Sequence, residues 1–387
     1  MNIKVIKTEE ERKQYSGLCR YCFNDQAGWT DRIFGSRAKG ETAYGAYEGN
    51  ELKSAIMCKY FTVSLFGTLQ EMAGISVVAS YPEVRNQGYI RNLMKRALND
   101  EHEKGTAVSA LYPFNFGYYN KFGYGALAGF WNVSFNPYDI VPVKNASPLV
   151  PFDGTERMFG DIKKVREEYY TKFDLGAVPD PRDVSLFNDA MAFGKIKVYV
   201  AYDGNTPTGV LTYALKPSGP FASELEITTV SWTERKGLTD IMNHLASHRD
   251  QCSSIRGDFH PSVPFHLLAK EPRLATTINR SWMARPVNLE AVLNAKLTEG
   301  RSFEPVVFSI EDPVAETETA TYRVTENAVE KTRFSGEHTV PLPLFSSLLF
   351  GGITAQQAFA SVFPEPWILR AAAFFQKNRE TYLNERF

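Results

Sequence analysis

Val78-Ala-Ser-Tyr-Pro-Glu-Val-Arg-Asn-Gln-Gly-Tyr-Ile-Arg91 joins an apolar strand to a helix through a basic turn that contains glycine. Past Gly88 the apolar positions are Ile90, Leu93, Met94, Ala97 and Leu98, the spacing of one buried helical face. Arg91, Asn92, Lys95 and Arg96 are left for solvent. The first turn of such a helix has amide N–H groups without intrahelical acceptors and a partial positive charge. Gly88 lets a phosphate approach the backbone, and Arg85 adds a full charge beside it. The stretch therefore reads as a cradle for a pyrophosphate.

Other nucleotide signatures fail. No GxxxxGK[ST] occurs, so the phosphate loop of ATP and GTP enzymes is absent. Gly123–Ala128 spells GxGxxA, but between an aromatic cluster and an expected strand, Phe130–Phe135, where a dinucleotide site needs a strand and then a helix. Pro82-x-x-Arg85-x-x-Gly88 after a strand instead resembles the acetyl-CoA signature of the GCN5-related N-acetyltransferases, usually [RQ]-x-x-G-x-[GA]. Arg85 and Gly88 match it, and Ile90 replaces the small last residue.

At 387 residues the chain has room for two or three domains. It is 43% hydrophobic and 22% charged with a net charge of −1, which gives no reason to expect nucleic acid or an anionic membrane as partner. The polar start and the lack of a long apolar run argue against a signal peptide or a membrane span, and cytoplasmic residence is expected. Cys19 and Cys22 form a CxxC without a second pair, on an expected helix over Tyr15–Phe23, so both thiols are expected to pack against a core. His244 and His248 stand at i, i+4, with His260 and His266 downstream and no carboxylate companion. They read as solvated or capping histidines, and no metal is expected.

Along the chain, residues 1–36 read as helices and a loop. Strands follow over Ala43–Tyr47, Leu52–Phe61 and Thr68–Ser80, then the cradle helix and a strand at Ala107–Tyr112. This mixture suits an α+β sheet. After a linker at Pro142–Asp153 the pattern echoes. Ala43-Tyr-Gly-Ala-Tyr-Glu-Gly-Asn50 recurs as Val198-Tyr-Val-Ala-Tyr-Asp-Gly-Asn205, each a strand ending in a hairpin turn. Val230–Gly237 and a helix over Leu238–Leu245 then occupy the place of the cradle without its Pro-x-x-Arg-x-x-Gly spacing. Duplication explains both echoes, with a second copy that lacks a working cradle. The last hundred residues are expected to be helix and strand mixed, closing on a helix over Trp367–Tyr382.

Two such folds, the second degenerate, followed by a small αβ domain, resemble the Eis (enhanced intracellular survival) acetyltransferases over the whole chain. The resemblance is sharpest at Arg85–Gly88, at Tyr118-Tyr-Asn-Lys-Phe-Gly-Tyr-Gly125 and at Glu385-Arg-Phe387. It implies an acetyl-CoA-binding domain over 1–145, a degenerate second domain over 146–285 and a sterol-carrier-like domain over 286–387. It implies acetyl-CoA as cosubstrate, polyamine-like or aminoglycoside acceptors, and a homo-oligomer, a hexamer. Amides of Val78 and Ser80 would grip the pantetheine arm, and Arg85, Asn86, Gln87, Gly88 and Tyr89 would hold the pyrophosphate. Tyr119 would be the general acid and the Phe387 α-carboxylate the general base. Asp25 and Glu385 would draw a polycation, with Trp29 as a packing wall.

A tyrosine titrating near ~10 is close to the thiol it must protonate, so that transfer is nearly balanced. A terminal carboxylate near ~3.5 is a weak base; burial and the negative end of the final helix would raise it. Two other readings stand beside this one. The chain is a protein or peptide N-acyltransferase, as the myristoyltransferases that also duplicate this fold are, or it is a non-catalytic sensor of CoA or lipid.

Overall fold

The computed structural model describes the chain apart from residues 25–39, 180–193, 264–267, 272, 281, 316–318, 333–337 and 385–387. Two compact units emerge, Met1–Ala128 with Ser281–Phe387, and Gly129–Arg280.

The first unit begins with a strand, Asn2–Val5 (β1), where helix was expected; it zips antiparallel onto Glu41–Glu48 (β2). Helix Glu9–Phe23 (α1) starts on a capping box between Thr8 and Glu11. A meander follows, β2 to Glu51–Leu65 (β3) to Thr68–Ser80 (β4). Tyr89–Glu103 (α2) then crosses over to Val108–Leu111 (β5), which pairs parallel with β4. Phe116–Asn120 (α3) and Gly125–Ala126 (β6) close this segment.

The second unit repeats the plan. Its elements are Phe130–Phe135 (β7), Val150–Pro151 (β8), Glu156–Tyr170 (α4), Gly176–Ala177 (β9), Lys197–Asp203 (β10), Thr206–Pro217 (β11), Ser223–Trp232 (β12), Arg235–Ala246 (α5), Cys252–Phe259 (β13) and Ala275–Asn279 (β14). Its sheet runs β14-β7-β13-β12-β11-β10-β8, with β12 and β13 parallel on either side of the α5 crossover. Both hairpins of the sequence echo form, β2–β3 and β10–β11.

The chain then returns to the first unit. Met283–Pro286 (β15) inserts between β5 and β6, completing the order β1-β2-β3-β4-β5-β15-β6. After Leu289–Leu297 (α6), a four-stranded sheet forms from Val306–Glu311 (β16), Ala320–Val324 (β17), Val329–Thr332 (β18) and Thr339–Pro341 (β19), in the order β18-β17-β16-β19. Leu342–Leu349 (α7) and Ala355–Ser361 (α8) follow. The two compact units meet along the chain at 128/129 and 280/281. β7 falls in the second sheet and β15 in the first.

The expected last helix breaks into Pro366–Arg370 (α9) and Ala372–Phe375 (α10) and stops. Side chains take the carbonyls that a longer helix needs: Lys296 Nζ holds Gln376 O at 2.7 Å and Arg301 Nη2 holds Lys377 O at 2.8 Å. The negative end of that helix therefore lies at Phe375. Among the described residues no helix is long and apolar enough to cross a membrane, and no metal-holding cluster is found.

Candidate active site

Successive β3 residues face opposite sides of the first sheet. Ala55 and Met57 pack toward α1, whereas Ile56 and Cys58 pack toward α2. On β4 this alternation slips. Ile75 faces α2, Val77 faces α1, and Val78 faces α2 again. The cause is a β-bulge: the register passes from Met57↔Ser76 to Ala55↔Ala79, so Val77 and Val78 together oppose Ile56. Val77 has φ +51°, left-handed backbone that costs a β-branched residue about 1–3 kcal/mol. The tandem valines of Ile75-Ser-Val-Val-Ala-Ser80 break the period of two, and that break was the available sequence signal for the bulge.

The parallel pairing of β4 with β5 ends at Ile75↔Leu111. Beyond it β4 runs on to Ser80, and among the described residues no strand pairs it on its β5 side, so the two strands splay. Val78 and Ser80, the residues read as the pantetheine grip, lie on this free stretch. Ser80 is itself held, with its hydroxyl 2.7 Å from that of Ser54 and its carbonyl accepting from Arg85 Nη2 at 3.3 Å.

The cradle follows at once. A 3-10 turn, Pro82–Val84, leads through extended Arg85 to left-handed Asn86 (φ +61°) and Gly88 (φ +82°). Gly88 caps α2, and among the described residues no side chain makes a capping hydrogen bond to the first amides of the helix. Arg85, Asn86 and Gln87 are exposed. Tyr89 is buried, its hydroxyl donating to the Glu48 carboxylate of the β2–β3 hairpin. Ile90, the departure from the usual signature, packs on the core beneath. A diphosphate fits this arrangement by its chemistry: left-handed turns, free amides and one exposed guanidinium.

Tyr119 stands past the C-terminal end of β5, on α3, in the same apolar cluster as Val78 and Ile75. It is 3% exposed, and among the described residues its hydroxyl has no hydrogen-bond partner. Burial, then the neighbouring Tyr118, push its pKa well above the ordinary tyrosine value. This corrects the expectation of a nearly balanced proton transfer, because burial opposes the phenolate. Phe114, 76% exposed, lies against Tyr118 and Tyr119 with ring centroids 5.2 and 5.6 Å away, an aromatic ledge that sequence reading did not single out.

A buried ion pair ties the returning chain to this site. Arg285 Nη1 donates to Phe122 O (2.7 Å) in the turn that follows Tyr119, and its guanidinium forks onto Asp312. Asp312 Oδ1 also accepts from the amides of Val314 and Ala315. Burial opposes its charge, but Arg285 and those amides hold its pKa below the carboxylate norm. Arg91 Nη2 of α2 reaches Pro313 O at 2.6 Å, and Val314 and Ala315 pack in the cluster with Tyr89 and Tyr119. One loop thus braces both the cradle helix and the Tyr119 turn. Neither residue carries a local motif, so sequence reading missed the pair.

Asp25, Trp29, Glu385 and Phe387 lie outside the described residues. The thiols of Cys19 and Cys22 pack on α1, Cys19 fully buried, and no disulfide joins them. His244 and His248 are half-buried, and His248 Nδ1 lies 2.9 Å from the His244 carbonyl in the last turn of α5, a capping contact. Both face the Tyr213 hydroxyl, at 3.3 and 3.1 Å, and His244 packs on Tyr199.

Comparison with known proteins bears on the fold and the family. Residues 2–127 and 182–286 each match a model of an acetyltransferase (GNAT) domain. No curated protein matches the chain by sequence. Many solved structures share its fold, among them the following three. A probable N-acyltransferase from Enterococcus faecalis V583 is 22% identical with a TM-score of 0.81, covering 98% of each chain. Eis1 from Mycobacterium abscessus is 18% identical with a TM-score of 0.82 over 100% of each chain. A GCN5-related N-acetyltransferase from Anabaena variabilis is 18% identical with a TM-score of 0.81 over 99% of each chain. The chain carries two tandem GNAT domains and is an acyl-CoA-dependent acetyltransferase.

Proposed function

We propose that this GNAT acetyltransferase moves an acetyl group from acetyl-CoA to a primary amine of a polycationic small molecule, aminoglycosides among them. The observation that carries the reading is the convergence on one side of β4. The cradle at Arg85–Tyr89 follows the edge at Val78–Ser80, which β5 does not pair, and Tyr119 packs in the same apolar cluster as Val78. Bound there, acetyl-CoA supplies the activated acyl group. Arg85 and the α2 head hold the diphosphate, and the amides of Val78 and Ser80 take the pantetheine arm.

With its pKa raised, Tyr119 stays protonated through the working range. It stabilises the departing sulfur by donating a hydrogen bond, and a full proton transfer to a thiolate of pKa near ~8.5 is uphill. The acceptor must arrive as a free amine. The Phe387 α-carboxylate is our candidate to take its proton, through a water, with Asp25 and Glu385 drawing the cation and Trp29 walling the pocket. A sterol-carrier-like fold for 286–387, cytoplasmic residence and a hexameric assembly belong to the same reading.

Release of CoA thiol with a panel of aminoglycosides and polyamines tests it, comparing the intact protein with one lacking only Phe387. Turnover that collapses on that deletion while acetyl-CoA still binds supports the assignment; unchanged turnover removes the carboxylate from the mechanism. The exposed Phe114 ledge favours one other acceptor class, a peptide amine with a bulky neighbouring side chain, and peptides therefore belong in the panel.

A further inference from the structure

We infer that Tyr15 is a positioning residue for acyl transfer, its hydroxyl on α1 fixing the β4 bulge so that the Val78 amide faces the acyl group. The inference rests on the reading of β4 as the pantetheine wall. Tyr15 is fully buried, and its hydroxyl donates to the Val77 carbonyl at 2.6 Å, across 62 residues of sequence. Burial pushes its pKa far above the tyrosine norm, so the hydroxyl keeps the proton that it donates.

The consequence follows from peptide planarity. The C=O of Val77 and the N–H of Val78 belong to one trans peptide and point in opposite directions. Tyr15 draws the carbonyl toward α1, so the Val78 N–H is directed away from α1. The side away from α1 carries the α2 cluster, on which Val78 and Tyr119 both pack. Neither β3 nor β5 gives Val78 a register partner. Its N–H is therefore available at the base of the splay, where the arm running down from the cradle past Ser80 brings its thioester. An amide held there polarises the thioester carbonyl and stabilises the oxyanion that forms as the amine attacks. Left-handed backbone at Val77 gives the 77–78 peptide a reason to flip, and the Tyr15 bond opposes the flip.

Tyr15→Phe removes one oxygen and leaves the ring packed. The measurement is the carbonyl stretch of bound acetyl-CoA labelled with 13C at the acetyl carbonyl, read by isotope-edited infrared spectroscopy, alongside CoA affinity and turnover. In the wild type the band is expected below that of free acetyl-CoA. In Tyr15→Phe it returns most of the way to the free position, CoA affinity stays within about 3-fold, and kcat falls about 10- to 100-fold. Tyr47→Phe is the control, since the Tyr47 hydroxyl is buried in the same cluster and has no partner among the described residues; it leaves band and turnover unchanged.

A shifted band identical in wild type and Tyr15→Phe overturns the inference and leaves the pantetheine reading intact, even if the melting temperature drops. A wild type that binds no acetyl-CoA overturns both. Val77→Gly keeps the carbonyl that Tyr15 holds and is expected to keep the wild-type band. A free-like band in that variant would assign the bulge to the valine side chain and sink the role of Tyr15, whether or not Tyr15→Phe folds.

Discussion

Two parallel strand pairs, β4–β5 in the first unit and β12–β13 in the second, part at their C-terminal ends, and different groups stand at the parting. In the second unit, pairing ends at Ile227↔Gly257 while β12 continues to Trp232. Trp232 lies 4.7 Å from Tyr169, Tyr169 lies 5.5 Å from Phe173, and Phe173 lies 4.7 Å from His260. This chain of rings bridges the two strand ends. In the first unit the corresponding aromatics turn aside: Tyr81 pairs with Tyr21 and Tyr112 with Trp282. The helix heads differ in the same sense. Gly88 leaves the head of α2 bare, whereas the N-cap of α5 is Glu234, a carboxylate where an anion would have to sit. Gly237 there serves packing, since a Cβ would come within 2.0 Å of Thr208 O. One fold thus leaves its splay open in the first unit, where we propose the cosubstrate to bind, and fills it with its own side chains in the second.

The largest expected effect tests the open side. Tyr119→Phe should lower kcat by about 10²- to 10³-fold with acetyl-CoA affinity within about 2-fold. A variant that loses affinity and keeps kcat would make Tyr119 a wall of the cleft and no more.

On the closed side, Trp232→Ala should cost the second unit about 2 kcal/mol, because it breaks the ring bridge in a half-buried place. Urea unfolding measures that loss. Calorimetric titration of the wild type should give one CoA per chain, and two would break the comparison outright. Gly88→Ala comes next in size. Left-handed backbone at φ +82° disfavours a Cβ, and the expected result is an acetyl-CoA KM raised about 10-fold at unchanged kcat.

The fold was legible where the sequence is locally periodic. The cradle helix and the paired hairpins were read from the spacing of Ile90–Leu98 and from the Tyr-x-Gly-Asn echo, because one amphipathic element carries its own pattern. Two features were hidden because their partners are distant in sequence. Arg285 needs Asp312 and the Phe122 carbonyl before its burial makes sense, and Val77 needs Tyr15. The last helix was misread because Ala371–Phe375 has helical composition while Lys296 and Arg301, far upstream, claim the next carbonyls. Propensity lost there to tertiary hydrogen bonding.

The smallest effect concerns two hairpin tyrosines, Tyr60 on β3 in the first unit and Tyr213 on β11 in the second, which are held differently. In the first, the Tyr60 hydroxyl sits between the Glu101 carboxylate and the Lys104 ammonium, at 2.9 and 2.8 Å. In the second, Tyr213 meets the imidazoles of His244 and His248, with Tyr199 stacked alongside. Burial, and then the charge of His248, depress the His244 pKa from 6.5 to about 4. A depressed folded-state pKa means stability that is whole above pH 6.5 and is lost as the pH falls toward 4, when the unfolded chain binds a proton the folded unit refuses. Discounted for the partial exposure of His244, the loss is on the order of 1 kcal/mol. Urea midpoints at pH 7 and pH 4.5 measure it, and His244→Gln should flatten the difference. If the wild type keeps its midpoint across that range, burial does not hold the His244 imidazole neutral.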